Sequence, residues 1–116
     1  MENLRQKGTG KEQVAAEYLE ENGYRILHRN YRSRFGEIDL VAKDGEYLCF
    51  VEVKYRDSDC HGFPEEAVHY AKQKKIIKAA GYYLMKEVGT VDCEMRFDVV
   101  AIIGEQIRLI KNAFEA

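Results

Sequence analysis

The stretch Glu37-Ile38-Asp39-Leu40-Val41-Ala42-Lys43-Asp44-Gly45-Glu46-Tyr47-Leu48-Cys49-Phe50-Val51-Glu52-Val53-Lys54-Tyr55 decides the fold. Two runs rich in β-branched and aromatic residues flank Lys43 to Glu46, where Asp44-Gly45 is a strong signal for a two-residue hairpin loop. With that pair as the loop, Lys43 faces Glu46, Glu37 lies opposite Glu52, and Asp39 lies opposite Phe50. Directly opposed residues share a face and side chains alternate along a strand, so Glu37, Asp39, Phe50, Glu52 and Lys54 all project from one side. Asp39 and Glu52 are then diagonal neighbours with Cα atoms about 7–8 Å apart, a separation that one ion held between two carboxylates can span. Acids this close repel one another and raise at least one pKa unless a cation sits among them. Hard oxygen donors without a partnering histidine favour Mg²⁺ or Mn²⁺ over Zn²⁺. The competing expectation is a set of cross-strand ion pairs among Glu37, Glu52 and Lys54 on a wet face. Val41, Leu48 and Phe50 share that face, however, and point to its being partly covered.

Toward the N-terminus, Thr9 and Glu12 have the form of a capping box, and Val14, Ala15, Tyr18 and Leu19 recur at helical spacing until Gly23. The predicted helix covers Gly10 to Asn22. The cap accounts for Glu12 without any chemistry. At 100° per residue, though, Glu12 falls on the side of Ala15, Ala16 and Leu19, so its carboxylate is aimed at the sheet as a further ligand for metal or water. A short strand from Tyr24 to Asn30 follows, with Tyr24, Ile26 and His28 on one side, and then a polar turn from Arg32 to Gly36.

Beyond the hairpin, a loop leads to Pro64, a residue accepted in the first turn of a helix that extends to about Lys86. Met95 to Ile103 is nearly continuous apolar sequence and predicts a strand buried on both faces. Gly104-Glu105 turns it into a last strand from Gln106 to Ile110. The order αβββαβ(β) describes an α/β protein with a mixed sheet, the second helix serving as a parallel crossover.

With 116 residues, 46% apolar and 33% charged, residues 1–116 have the composition of one globular domain. A net charge of −2 gives no general attraction to nucleic acid or to anionic membrane, so any basic site is local. Tyr24 to Arg34 holds four arginines and no acid, and His69 to Lys78 holds four lysines and no acid. A solvated face explains either run taken alone. Cys49, Cys60 and Cys93 fit neither a disulfide framework nor paired zinc-ligand spacing, which suggests a reducing compartment. The longest apolar run, Val99 to Ile103, is far short of a membrane span, so the expectation is a cytoplasmic protein without membrane attachment.

Gly36-Glu37-Ile38-Asp39-Leu40 followed by Phe50-Val51-Glu52-Val53-Lys54 resembles the PD-(D/E)xK nuclease superfamily. Across nearly the whole chain the sequence is similar to the YraN family of small bacterial proteins, whose fold is like that of archaeal Holliday junction resolvases. Further support comes from Glu12 with Ala15 and Ala16, from Gly23-Tyr24 before Ile26, from Pro64 with Glu66-Ala67-Val68, and from Arg96-Phe97-Asp98-Val99. Ile38 stands where the superfamily motif has proline, at a position that supplies no ligand.

The resemblance implies a restriction-endonuclease-like fold and metal-dependent hydrolysis of DNA, branched structures included. By position, Asp39 matches the metal-binding aspartate, Glu52 the second acid, Lys54 the lysine and Glu12 the helix-one glutamate. Val53 would lend a backbone carbonyl to the metal, and Glu37 would extend the network. Arg29, Arg32 and Arg34 lead into the Asp39 strand and become candidate phosphate contacts. Lys72 falls inside the apolar arc of its helix, where it either snorkels at the core edge or meets a phosphate. Symmetric cutting of two strands would require a homodimer. The alternative is a nucleic-acid-binding module that keeps the fold and hydrolyses little.

Overall fold

A computed structural model describes residues 4–56, 69–90 and 92–116, with side chains from residue 10 onward. Helix α1 spans Leu4–Glu21, strands β1, β2 and β3 span Arg25–Ser33, Gly36–Asp44 and Tyr47–Arg56, and helix α2 spans Tyr70–Tyr83. A π-helical turn over Leu84–Val88 continues α2, and β4 (Met95–Ile103) and β5 (Gln106–Phe114) complete the chain. The five strands form one sheet in the order β1-β2-β3-β4-β5, antiparallel except for the parallel β3–β4 pair. The expected α/β mixed sheet and its parallel crossover are therefore present, consistent with a restriction-endonuclease-like fold. The predicted helix start at Pro64, and Cys60, lie outside the described residues.

One helix covers each face. Ala15, Ala16 and Leu19 of α1 pack on Leu40, Ala42, Cys49, Val51, Val100 and Ile102. On the other face, Ile76, Ala79, Ala80 and Tyr83 of α2 pack on Ile38, Val41, Leu48, Phe50, Phe97 and Val99. Alanines at the contact let both helix backbones approach the sheet closely, and the nearly continuous apolar sequence of β4 follows from burial on both sides.

Three features differ from expectation. Helix α1 begins at Leu4, so Thr9 lies inside it and is not a cap; the capping box does not account for Glu12. The hairpin loop is Gly45-Glu46 between Asp44 and Tyr47, which pair, and the register is displaced by two residues from the expected one. Gly45 takes φ 62°, and a turn with glycine first of its two central residues satisfies that left-handed backbone without strain. A two-residue displacement preserves parity from Leu40 onward and brings Asp39 level with Glu52 instead of diagonal to it, but Ile38 packs with Val41 and Phe50 on the α2 face, so the expected alternation of β2 breaks at Asp39. Finally, β1 runs on to Ser33 and pairs with β2 through a tight turn at Arg34-Phe35. The register shift between Ile26 and His28 sends His28 to the α2 face, where its ring meets those of Tyr31 and Tyr83.

Candidate active site

The β2–β3 pairing runs from Asp44↔Tyr47 to Leu40↔Val51 and stops there, whereas β2 stays paired with β1 as far as Ser33↔Gly36. The first half of β2 therefore leaves β3, and the sheet forks at Asp39. Inside the fork, Asp39 Oδ2 accepts the Val53 backbone N–H at 2.8 Å. The carboxylate thus takes the place of the missing ladder acceptor, which fixes it between the two strands. Glu52, next on β3, is only 3% exposed, and its carboxyl is hydrogen-bonded to that of Asp39. Burial first, and the Glu52 charge second, push the Asp39 carboxyl up to about 8; the Val53 amide opposes them and Glu12 reinforces them. Two carboxyls this close, with little water between them, disfavour the charged form of Asp39.

The surrounding groups come from both helices. On the α2 side, Lys72 Nζ meets Glu52 Oε2 at 2.5 Å, with about half of the lysine side chain exposed. Burial works against the Lys72 charge, but the hydrogen bond to Glu52, aided by Asp39 and Glu37, outweighs it and the net shift is upward. Neither expectation for Lys72 named this partner: its ammonium lies against the second acid. From α1, Glu12 reaches the same cluster. Burial raises its pKa, a hydrogen bond from the Asn30 side chain lowers it, and Glu37 and Glu52 raise it again. Lys54 follows Glu52 by two residues and so projects from the same face of β3.

The arginines divide. Arg32 Nε lies 3.4 Å from Glu37 Oε2 and faces the Glu12 side of the cluster. Arg29 turns toward α1 and donates to Gln13. At the hairpin tip, Arg34 lies over the Phe35 ring at 5.0 Å. The structure thus brings Asp39, Glu52 and Lys72 together at the fork, sets Glu12, Glu37 and Arg32 within reach of their charge, and leaves Arg29 against α1 and Arg34 at the β1–β2 turn.

Sequence reasoning missed Asn30. It sits across from Asp39 in the β1–β2 register, at φ 53°, and interrupts the regular alternation so that Tyr31 and Ile38 face α2 while Arg29 and Leu40 face the α1 side. An asparagine tolerates the left-handed region, and an isolated one inside a strand pattern was the available signal. Asn30→Gly keeps the backbone and removes the amide, so the Glu12 titration followed by carboxyl-carbon NMR is expected to move upward with folding unchanged. An unmoved titration would contradict the assigned hydrogen bond.

Among the described residues, no three His, Cys, Asp or Glu side chains stand at a spacing that could hold a metal ion. The donor set at the fork is two carboxylates of hard oxygen, which suits a dication that keeps much of its own hydration. Cys49 is buried, and burial pushes its thiol up to about 12; it takes no part in the cluster.

The sequence model of the family described as "Uncharacterised protein family UPF0102" matches residues 11–102. This chain belongs to that family. The UPF0102 match, which is the YraN family of the sequence resemblance, includes Glu12, Asn30, Asp39, Glu52, Lys54 and Lys72 and stops before β5. A UPF0102 protein of Lachnoclostridium phytofermentans is 54% identical over 114 residues, covering 98% of this chain and 97% of the relative. Another, from Persephonella marina, is 47% identical over 109 residues, covering 94% and 93%. A third, from Desulforapulum autotrophicum, is 51% identical over 120 residues, covering 99% and 98%. Among the described residues, no helix is long and apolar enough to cross a membrane.

Proposed function

We propose that the chain is a divalent-metal-dependent nuclease that hydrolyses phosphodiester bonds in DNA, branched forms included. The observation that carries this reading is the Asp39–Glu52 pair, two carboxyls brought together where the strand ladder opens. A dication between the two carboxylates would relieve their mutual repulsion. Mg²⁺ or Mn²⁺ held by Asp39, Glu52 and the Val53 carbonyl would lower the pKa of a water molecule and neutralise charge developing on the phosphate.

The chain's own groups have separable tasks. Lys54 orients the attacking water or sets positive charge beside the phosphate. Lys72 holds one oxygen of Glu52, which leaves the other free toward Asp39. Glu12, held by Asn30, orders the water network on the α1 side. Arg32 is the arginine nearest the cluster for a phosphate, with Arg29 and Arg34 contacting more distant parts of the substrate. Paired cuts in two strands require a twofold homodimer.

A second reading, a binding module with the fold and little hydrolysis, is favoured by one observation: the Lys72 ammonium already answers the charge of Glu52. The test is a panel of linear, single-stranded and four-way DNA with Mg²⁺ or Mn²⁺. The wild type is expected to cut at least one form, and Lys54→Ala to reduce the rate by about 10²–10³ while still binding DNA, as removal of one positioned electrostatic group does elsewhere. DNA bound but never cut would establish the second reading, and DNA neither bound nor cut would overturn both.

A further inference from the structure

From His69 to Lys86 the chain has five lysines and no acid, within a protein whose net charge is −2. Among them, Lys72 is the one drawn into the fork. The inner face of α2 is occupied by the core through Ile76, Ala79, Ala80 and Tyr83. The outer face follows the four-residue row Tyr70, Lys74, Lys78, Tyr82, continued by Lys86 in the π turn, with steps of about 6 Å along the axis. Tyr70 is 70% exposed. Lys74 Nζ lies 4.9 Å from the centre of the Tyr70 ring, and Lys86 Nζ lies 5.5 Å from that of Tyr82. Phe35 at the β1–β2 turn brings its ring to 6.0 Å from Tyr82 and carries the Arg34 guanidinium over it. Among the described residues, Lys74 and Lys78 have no carboxylate partner. The nearest acid to the row's end, Glu87, accepts a hydrogen bond from Tyr31.

We propose that this outer row of α2, ending against the Arg34-Phe35 turn, is a track for single-stranded DNA. Alternating rings and cations along one line are what an unpaired strand recognises: bases stack on the rings while the phosphates follow the charges. A duplex can use the lysines but not the rings, because its bases are already stacked. The row does not suit a membrane surface, since the apolar arc of α2 is buried against the sheet and cannot enter lipid. The same helix carries Lys72, which touches Glu52 from the opposite side, so one rigid element joins the row to the fork. The proposal deepens the nuclease reading by naming the form of substrate, and rests on that reading only for the cutting step.

Fluorescence anisotropy of labelled single strand and matched duplex, in a chelator so that nothing is cut, separates binding from catalysis. The wild type is expected to bind the single strand more tightly than the duplex. Tyr70→Ala should weaken single-strand binding roughly tenfold and leave the salt dependence unchanged, with Tyr70→Phe restoring it. Lys74→Glu with Lys78→Glu should weaken binding to both forms and flatten the salt slope on a single strand by about 0.7 for each phosphate that is no longer neutralised. Circular dichroism melts confirm that these exposed substitutions leave the fold intact. Equal affinity for both forms, indifference to the tyrosine, or binding to anionic vesicles in preference to DNA would overturn the track. Cleavage by variants that bind as wild type does refutes the track and spares the nuclease; single-strand binding by the row without any metal-dependent cleavage supports the track and refutes the nuclease.

Discussion

In a chelator at pH 8, Asp39→Asn is expected to be more stable than the wild type, by on the order of 2–5 kcal/mol, since each unit of pKa displacement is worth about 1.4 kcal/mol. The unfolded chain releases this proton above an ordinary value of 3.8, whereas the folded chain, through burial and then the Glu52 charge, keeps it to about 8. Folded protein therefore holds the extra proton across that window, and stability falls as pH rises through it, reaching its lowest contribution above pH 8. Asparagine cannot ionise, yet its carbonyl still accepts the Val53 amide and its NH₂ donates to Glu52. Urea denaturation at pH 5 and pH 8 checks the sign: the gap between variant and wild type should open with pH. Saturating Mn²⁺ should close it by stabilising the wild type alone. A variant less stable than wild type at both pH values would contradict the assigned burial of charge.

The second large effect lies on β4, where Asp98 pairs with Val51 of β3. Asp98 is fully buried and accepts hydrogen bonds from Tyr24 Oη at 2.8 Å, Arg96 Nε at 2.9 Å and the Asn112 backbone N–H at 2.9 Å. Arg96 also reaches Asp44 at 2.7 Å, and that contact first among several holds the Asp44 carboxyl below its usual range. Asp98→Ala leaves a part-buried guanidinium and a buried tyrosine hydroxyl without their shared acceptor and is expected to cost about 3–5 kcal/mol, a large part of the stability of a domain this size. Tyr24→Phe removes one neutral donor and should cost about 1–2 kcal/mol, with Arg96 still in place. Chemical denaturation of both variants reads these values directly. A loss below about 1 kcal/mol for Asp98→Ala would mean that water replaces the network, contrary to its burial.

Much of this was legible in the sequence, for identifiable reasons. Element order followed from β-branched runs, glycine turns and the apolar β4 sequence, each a local signal. The shared face of Glu52 and Lys54 does not depend on the hairpin loop, because a displacement of two residues cannot change parity, whereas β2 breaks its alternation at Asp39. What the sequence could not supply was the point at which β2 leaves β3. That fork depends on the Asp39 carboxylate capturing the Val53 amide and on Asn30 taking a left-handed backbone across from it. Both are decided by three strands together. Asn112, at φ 54°, extends β5 past its expected end at Ile110 in the same way, its amide bound by Asp98. Lys72 was noticed as an exception to its helix's apolar arc, and only the packing of α2 on the sheet revealed that Glu52 was the cause.

The fork's capacity to hold a cation is the central claim, and direct titration of Mn²⁺ followed by electron paramagnetic resonance of the free ion measures it without reference to any substrate. The expected result is one site per chain in the wild type, lost in Asp39→Asn and in Glu52→Gln and retained in Lys54→Ala. Equal binding by wild type and Asp39→Asn, or none by the wild type at millimolar Mn²⁺, would contradict it.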